Sequence, residues 1–186
     1  MTSTDAELLA PALPERAGER QDWLGLPGDA PALAIAEASR RHDGPLLVVT
    51  AGSTEAQQLR RGLRFFAPDE DIELMPDWEV LPYDVFSPHQ DIVSERLRAL
   101  HRLSRRRRGI LILPVATLMQ RIAPPEFLRS TVTRLAVGEA LDLEAMRRGL
   151  EQAGYRCVSE VLEHGEFTVR GSILDLFPMG ATAPYR

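Results

Sequence analysis

The residues best suited to chemistry gather in one short segment, 83–91, where aromatic, imidazole and carboxylate groups lie close together. Its candidate catalytic residues are His89, Asp84 and Asp91, which are residue types that general acid–base catalysis uses. A structural role is the alternative, because Asp91 or Ser94 can begin the amphipathic helix that follows. The residues alone allow either interpretation.

A second candidate site is the run of four arginines at Arg105–Arg108, the one dense basic run of the chain. Such runs can bind nucleic-acid phosphates. Arginines also suit a helix C-terminus and a solvated loop, and no aromatic residue interleaves with these to stack on bases. The 22 basic residues face 27 acidic ones, so the net charge is -5. We therefore favour a solvated loop and keep a DNA-binding module as the alternative.

Composition excludes several classes of protein. With 186 residues and 44% apolar content, the chain can form one large domain or two small ones around a real core. All basic residues are arginine, which excludes a phosphate-binding, Schiff-base or general-base lysine. There is no apolar stretch of about 20 residues and no basic N-terminal segment. We predict a cytoplasmic protein without a membrane partner and without a metal site.

The first part of the chain alternates between predicted helices and strands. Such alternation is typical of an α/β domain with a mainly parallel sheet. Short apolar runs predict strands buried on both faces, and Asp29 is the expected cap of the first helix. The predicted elements are a helix from Asp29 to about Arg41, a strand Leu46–Val49, a helix Thr54–Phe66, a strand Ile72–Met75, a helix Asp91–Arg105 with Val93, Leu97, Leu100 and Leu103 inward, and a strand Ile110–Val115.

The second part follows another pattern, which predicts an α+β domain with antiparallel strands. Thr131–Val137 alternates as a half-exposed strand does. Asp142 is the expected cap and Gly154 the expected stop of the next helix. Two strands around a His164–Gly165 turn then complete the domain. The predicted organisation is a loosely ordered arm at 1–20, a first domain at 21–129 and a second at 130–186.

Two long motifs resemble a known family. Leu81–Ile92 and Glu163–Pro178 are similar, in the same order, to segments of the bacterial transcription-repair coupling factors, whose N-terminal module is a copy of part of the excision-repair protein UvrB. The resemblance extends from about Trp23 to Arg186. In UvrB the region matching Tyr83–Ile92 is longer and includes an aromatic hairpin that threads damaged DNA. This segment is too short to hold that hairpin, so we favour its structural interpretation and predict no catalytic residue.

The resemblance also places 25–32 where UvrB carries a phosphate-binding loop of the form G-x-x-x-x-G-K-[ST]. That chemistry needs a glycine at the phosphate, a lysine and a magnesium-binding hydroxyl. Alanine, proline and alanine hold those places, and an aspartate opposes an anion at the helix N-terminus. We predict a degenerate loop without cofactor, in a helicase-like, P-loop-type domain. Its residues are Gly25, Gly28, Asp29, Ala30, Pro31 and Ala32.

The family's second domain binds UvrA through arginines that match Arg170 and Arg186. Strand alternation places Glu166 and Thr168 on the same face as Arg170. An exposed antiparallel face and arginine side chains both suit a protein partner. We predict a UvrA-binding site at these four residues.

The resemblance implies a role for the chain inside a longer protein. We expect a UvrA-recruiting, autoinhibitory module in transcription-coupled nucleotide excision repair, whose UvrA-binding face is masked by the C-terminal region of the same protein. The full-length protein would be an ATP-dependent DNA translocase that displaces stalled RNA polymerase, with ATP and magnesium bound by motor domains that follow Arg186. The enzymatic alternative is a UvrB-type, nucleotide-dependent helicase fragment, which the absent lysine disfavours.

Overall fold

The computed structural model describes residues 9–80, 85–103, 105 and 107–186. These form two compact units. The first holds 9–77 with 105–120, and the second holds the described residues of 78–104 with 121–186. The units are groups of residues in contact, and the predicted domain limits at 20 and 129 stay a prediction.

The first unit is a three-stranded parallel sheet with helices, as the alternation of the sequence predicts. The strand order is β1-β3-β2, so β3 is central and hydrogen-bonds to both neighbours. The elements, in chain order, are α1 (Ala30–Arg41), β1 (Pro45–Thr50), α2 (Ser53–Phe66), β2 (Ile72–Leu74), β3 (Gly109–Pro114) and α4 (Val115–Leu118).

The core of the first unit lies between the helices and one face of the sheet. Small residues of α1 and α2, such as Ala32 and Ala56, pack with Leu63 and with Ile110 and Ile112 of the central strand. Every residue of β3 is buried, which confirms the strand predicted to be covered on both faces. Alanine on both helices lets their backbones approach closely, and this allows the unit to form a dense core.

Strand β1 differs from the prediction because only one of its faces is buried. Leu47 is 57% exposed and Val49 is 43% exposed, whereas Leu46 and Val48 pack against the core. The strand lies at an edge of the sheet, where coverage is incomplete. An apolar run therefore predicted the strand correctly but not its burial on two faces, which depends on neighbours that the run does not encode.

The second unit combines helices with a small mixed sheet of order β4-β5-β6. Strand β4 pairs with β5 in parallel, and β5 pairs with β6 antiparallel. The elements are α3 (Gln90–Leu103), α5 (Pro125–Thr131), α6 (Leu143–Gln152), β4 (Arg156–Cys157), β5 (Glu166–Arg170) and β6 (Ile173–Phe177).

The antiparallel pair turns at Gly171, not at His164–Gly165. Gly171 has a φ of 61°, the left-handed conformation that the primed two-residue hairpin turns require. The predicted turn at Gly165 instead connects to the short parallel strand β4. The sequence pattern merged β5 and β6 into one strand because their apolar residues continue across the glycine.

The predicted strand Thr131–Val137 is not formed. Helix α5 occupies Pro125–Thr131, and 132–137 has no strand partner among the described residues. Val137 is fully exposed. Alternation predicts a strand only where a neighbouring strand accepts its hydrogen bonds, and this segment has none in the described chain.

Helix α6 begins and ends as predicted. The Asp142 carboxylate accepts hydrogen bonds from the backbone N–H groups of Glu144 and Ala145 at 3.0 Å, which caps the helix. Gly154 follows with a φ of 87°, and the backbone N–H of Tyr155 donates to Leu150 O at 2.9 Å. This pattern is the glycine-terminated helix end that the sequence indicated.

Helix α3 buries the predicted stripe only in part: Leu100 is buried, Val93 and Leu97 are half-buried, and Leu103 is 40% exposed. Its buried residues also include Ser94, Arg96 and Ala99, which were not predicted. The guanidinium of Arg96 lies 4.0 Å from the centre of the Trp78 ring, so a cation–π contact accompanies its burial. Apolar periodicity did not identify Ser94 and Arg96, because these polar residues contact Gly180 N and the Trp78 ring, which a helix pattern does not encode.

Candidate protein-binding site

The two predicted contact arginines converge on one carboxylate, that of Asp175. Arg170 Nη2 donates to Asp175 Oδ2 at 3.2 Å. Arg186 binds the same carboxylate through two atoms. Its Nε donates to Oδ1 at 2.6 Å, and its Nη2 donates to Oδ2 at 2.9 Å. A bidentate and a single contact thus hold two cationic side chains around one anion.

Strand pairing brings these residues together. In the β5–β6 register Thr168 lies opposite Asp175, so Asp175 and Arg170 are diagonal neighbours on the same face of the hairpin. Leu176 and Tyr185 then exchange backbone hydrogen bonds of 2.9 and 2.8 Å. This bridge carries the next residue, Arg186, back to the strand that holds Asp175.

The segment before Tyr185 is anchored at three backbone points. Tyr155 Oη accepts from Met179 N at 3.0 Å, and Ser94 Oγ accepts from Gly180 N at 2.8 Å. His164 Nε2 lies 2.9 Å from Ala181 O. These contacts restrict the path of the chain as it approaches Arg186.

The electrostatics of the cluster follow from its geometry. The side chain of Asp175 is 12% exposed, whereas those of Arg170 and Arg186 are 61% and 69% exposed. The hydrogen bonds and charges of Arg186, and then of Arg170, lower the pKa of Asp175 below its ordinary value. The same contact with Asp175 raises the pKa of Arg186. The anion therefore lies beneath two cations that face solvent.

Glu166 and Thr168 do not lie on the exposed polar face that was predicted for them. Both are buried, so the polar face of β5 is exposed at its Arg170 end but not along its length. Glu166 Oε2 accepts from the backbone N–H groups of Leu162 and Glu163 at 2.9 Å. These bonds lower the pKa of Glu166. Its carboxylate organises the preceding loop, and its predicted contact with UvrA stays a prediction.

The degenerate loop is folded into the first unit. Gly25 and Gly28 have φ values of 71° and 56°, consistent with turn glycines. Asp29 precedes helix α1 but makes no side-chain capping bond, contrary to the prediction. Pro31 has no N–H to donate, and the Ala32 N–H already donates to the Asp29 carbonyl at 3.0 Å.

Ala32, where the resemblance would place the hydroxyl of a phosphate loop, is buried in the first unit. Ala32 is 1% exposed, and a Cβ atom added at Gly62 of α2 would lie 2.7 Å from the Ala32 methyl. Position 32 is therefore part of the contact between helices α1 and α2. The absence of nucleotide binding stays a prediction.

Arg108, a described member of the arginine run, contacts the end of helix α1. Arg108 Nη2 donates to Ser39 O at 3.4 Å and to His42 O at 3.3 Å, at the C-terminal end of helix α1. This interaction is favourable because unpaired carbonyls end a helix. Arg105 and Arg107 are exposed, and Arg106 lies outside the described residues.

In the segment 83–91, hydrogen bonds are found for His89 and Asp91, and the absence of a catalytic role stays a prediction. Tyr83 and Asp84 lie outside the described residues. His89 precedes helix α3, and its Nδ1 accepts from the Asp91 N–H at 3.3 Å, so His89 and not Asp91 takes the capping place. The Asp91 carboxylate lies 2.8 Å from His164 Nδ1.

Sequence reasoning missed Asp175, the residue that joins the two arginines. Its signal is a carboxylate in the otherwise apolar strand Ile173–Phe177. A charged residue in such a strand needs a paired cation, and this indicates an ionic site. No group of three or more histidine, cysteine, aspartate or glutamate residues suited to a metal occurs in the described chain. No described helix is long and apolar enough to cross a membrane.

Comparison with known proteins agrees with the motif resemblance. Residues 133–186 match the family model of the UvrB interaction domain. The transcription-repair-coupling factor of Haemophilus influenzae is 50% identical over 161 residues, which cover 87% of this chain and 14% of that protein. The Escherichia coli factor is 45% identical over 174 residues, covering 94% of this chain and 15% of that protein.

A more distant relative extends the match. The transcription-repair-coupling factor of Mycobacterium tuberculosis is 36% identical over 181 residues, covering 94% of this chain and 14% of that protein. The chain thus spans 14–15% of the length of these relatives. Over the part that the alignments cover, the chain belongs to the family of the transcription-repair-coupling factors and carries a UvrB interaction domain at residues 133–186.

Proposed function

We propose that this chain recruits UvrA in transcription-coupled repair, as the UvrB-like module of a transcription-repair-coupling factor. The observation that carries the proposal is the convergence of exposed Arg170 and Arg186 on Asp175 within the matched UvrB interaction domain. The relatives' name supports the repair process, and the family model supports a partner of the UvrA type.

The chemistry of the cluster suits a protein interface. Arginine is among the commonest interface anchors, because its planar guanidinium can bind a carboxylate with two parallel hydrogen bonds. Arg170 and Arg186 keep N–H groups that contact no acceptor in the part of the chain that the structure describes. Those groups are available to a partner.

The test is the affinity of the chain for UvrA after truncation of each arginine. We expect Arg170→Ala and Arg186→Ala each to weaken binding by about ten- to a hundredfold, since an anchoring arginine is worth roughly 1 to 3 kcal/mol. Binding is measured by surface plasmon resonance or calorimetry with purified UvrA of the same organism. Dissociation should become faster while association changes little, as expected for desolvated anchors.

Arg147→Ala provides the matched control. Arg147 lies in the same matched domain and pairs with Glu151 at 3.1 Å on the exposed face of helix α6. Exposed pairs contribute little, so UvrA affinity and melting temperature should both stay close to wild type. Measurable wild-type binding that neither Arg170→Ala nor Arg186→Ala weakens would place the UvrA-binding surface elsewhere.

The remaining parts of the proposal concern the whole protein. We infer a degenerate helicase-like, P-loop-type first domain, a cytoplasmic location and an autoinhibitory contact with the protein's own C-terminal region. The full-length protein is proposed to be an ATP- and magnesium-dependent DNA translocase that acts on stalled RNA polymerase. The sequence resemblance supports these statements.

The DNA-binding alternative has less support from the geometry. Arg108 is engaged with the carbonyl groups that end helix α1, and its arginine neighbours stand in a chain of net charge -5. The run could neutralise only a few phosphates, so any binding would be weak and strongly salt-dependent. The helicase alternative is opposed by the buried Ala32 at the hydroxyl position.

A further inference from the structure

Asp175 is central to the candidate site although it is largely buried itself. Its two oxygens accept three hydrogen bonds, two from Arg186 and one from Arg170. We propose that Asp175 is a positioning residue, which holds both guanidinium groups as one surface that recognises a carboxylate of the partner. This inference rests on the proposed UvrA-binding function and names the chemistry of the contact.

Asp175 orients both arginines, and each arginine still has N–H groups that do not contact Asp175. Arg186 binds through Nε and Nη2, so its Nη1 faces away from Asp175. Arg170 uses Nη2 alone and keeps Nε and Nη1. Each guanidinium carries five N–H groups in a fixed plane, and most of them therefore remain for another acceptor.

Holding the arginines in advance favours binding. A free arginine loses much rotamer freedom when a partner immobilises it, and this loss opposes association. Asp175 restricts that freedom in the unbound chain, because it is fixed on strand β6 opposite Thr168. The arginines therefore lose less rotamer freedom when UvrA binds.

The charge of the cluster identifies the class of partner surface. Two guanidinium groups share one carboxylate, so the cluster keeps a net positive charge and faces solvent. Arginine pairs of this kind match carboxylates, which can accept bidentate hydrogen bonds. We infer that the contacting surface of UvrA presents aspartate or glutamate side chains.

The test is Asp175→Asn in the 186-residue chain, with UvrA affinity and kinetics as the readout. Asparagine keeps the shape but loses the charge that holds the arginines. We expect about tenfold weaker UvrA binding through faster dissociation, although the variant has one negative charge fewer than wild type. An effect of charge alone would instead speed association and tighten binding to an acidic surface, and this result would overturn the proposal.

A double-mutant cycle separates positioning from a general structural role. In an Arg170→Ala, Arg186→Ala background, Asp175→Asn should cause no further loss of affinity, because the groups that it positions are gone. A further tenfold loss in that background would show that Asp175 acts by another route and would overturn the inference. If the arginine variants themselves bind normally, the proposed UvrA site fails, which is a different result.

A second variant covers the possibility that Asp175→Asn does not fold. Arg186→Lys keeps the positive charge but lacks the planar fork that binds Asp175 at two atoms. We expect it to lose nearly as much UvrA affinity as Arg186→Ala, with a circular dichroism spectrum like that of wild type. Wild-type affinity in Arg186→Lys would mean that charge without orientation is enough, and the proposal would be wrong.

Discussion

At the residue scale, two carboxylates of the β5–β6 hairpin stabilise different parts of the second unit. Glu166 accepts hydrogen bonds from the backbone N–H groups of the loop at 162–163, and Asp175 binds Arg170 and Arg186. In both cases the hydrogen bonds favour the charged form, so the pKa values of both lie below their ordinary values of 4.5 and 3.8.

This lowering of the pKa predicts the direction of the pH dependence. A carboxyl group with a lower pKa in the folded state binds protons more weakly there than in the unfolded chain. Its stabilising contribution is therefore complete above the unfolded pKa and is lost as pH falls through the folded pKa. We expect the free energy of unfolding to decrease progressively below about pH 4.5.

Urea unfolding of wild type and Glu166→Gln at several pH values measures this effect. The variant should be less stable by about 1–2 kcal/mol at pH 7, because the charged acceptor of two backbone N–H groups is replaced by a weaker one. The difference should shrink toward pH 3. A constant difference at all pH values would assign the effect to packing and not to the charge of Glu166.

At the element scale, helices α1 and α2 approach each other closely at Gly62 and Ala32. A Cβ atom at Gly62 would lie 2.7 Å from the Cβ of Ala32, which is too close for an ordinary contact. Glycine in a helix interior usually costs stability relative to alanine. Its presence here is explained by the approach of α1, which leaves no room for a methyl group.

Two glycine-to-alanine substitutions compare a position at this helix contact with a position that has no neighbouring atoms. Gly62→Ala should lower the free energy of unfolding by about 1–3 kcal/mol, since the added methyl forces the helices apart. Gly149 in helix α6 has no atom within 4 Å of an added Cβ, so Gly149→Ala should raise stability by about 0.5–1 kcal/mol. Both are measured by urea denaturation. A stabilising Gly62→Ala would show that the helices are not in close contact.

At the scale of the whole molecule, composition and packing both oppose nucleotide binding. The chain has no lysine and a net charge of -5. Ala32, at the position predicted for a phosphate loop's hydroxyl, is 1% exposed. A phosphate loop of that form needs a lysine for the outer phosphates and a free helix N-terminus.

We therefore expect millimolar ATP with magnesium to leave the melting temperature of the chain unchanged. A ligand that prefers the native state raises stability by mass action, so even weak specific binding would be detected. Sodium sulfate at the same ionic strength controls for general salt effects. A rise produced by ATP but not by sulfate would contradict the degenerate-loop interpretation.

Local patterns were enough to predict many elements. Helices α1, α2 and α6 and the central strand β3 lie within a few residues of their predicted bounds. The Asp142 cap and the Gly154 stop are also confirmed. Helix periodicity, caps and stops depend on residues three or four positions apart, so they can be predicted from a short stretch of sequence.

Other features depend on partners that are distant along the chain. Within the described residues, the segment 132–137 has no strand partner of the kind that its alternation requires. The hairpin of β5 and β6 turns at Gly171 because the pairing register, and not the apolar pattern, decides where a strand ends. Burial of one face of β1 likewise depends on which elements cover the sheet.

The family motifs, the arginines at 170 and 186 as candidate contacts, and the alanine–proline–alanine run at 30–32 can all be identified in the amino-acid sequence. The contact of both arginines with Asp175 is visible in the fold alone, because it needs the β5–β6 register and the backbone bridge between Leu176 and Tyr185. Residue types and local periodicity are properties of neighbours in the chain. The convergence of three charged groups from separate segments is a property of their pairing in space.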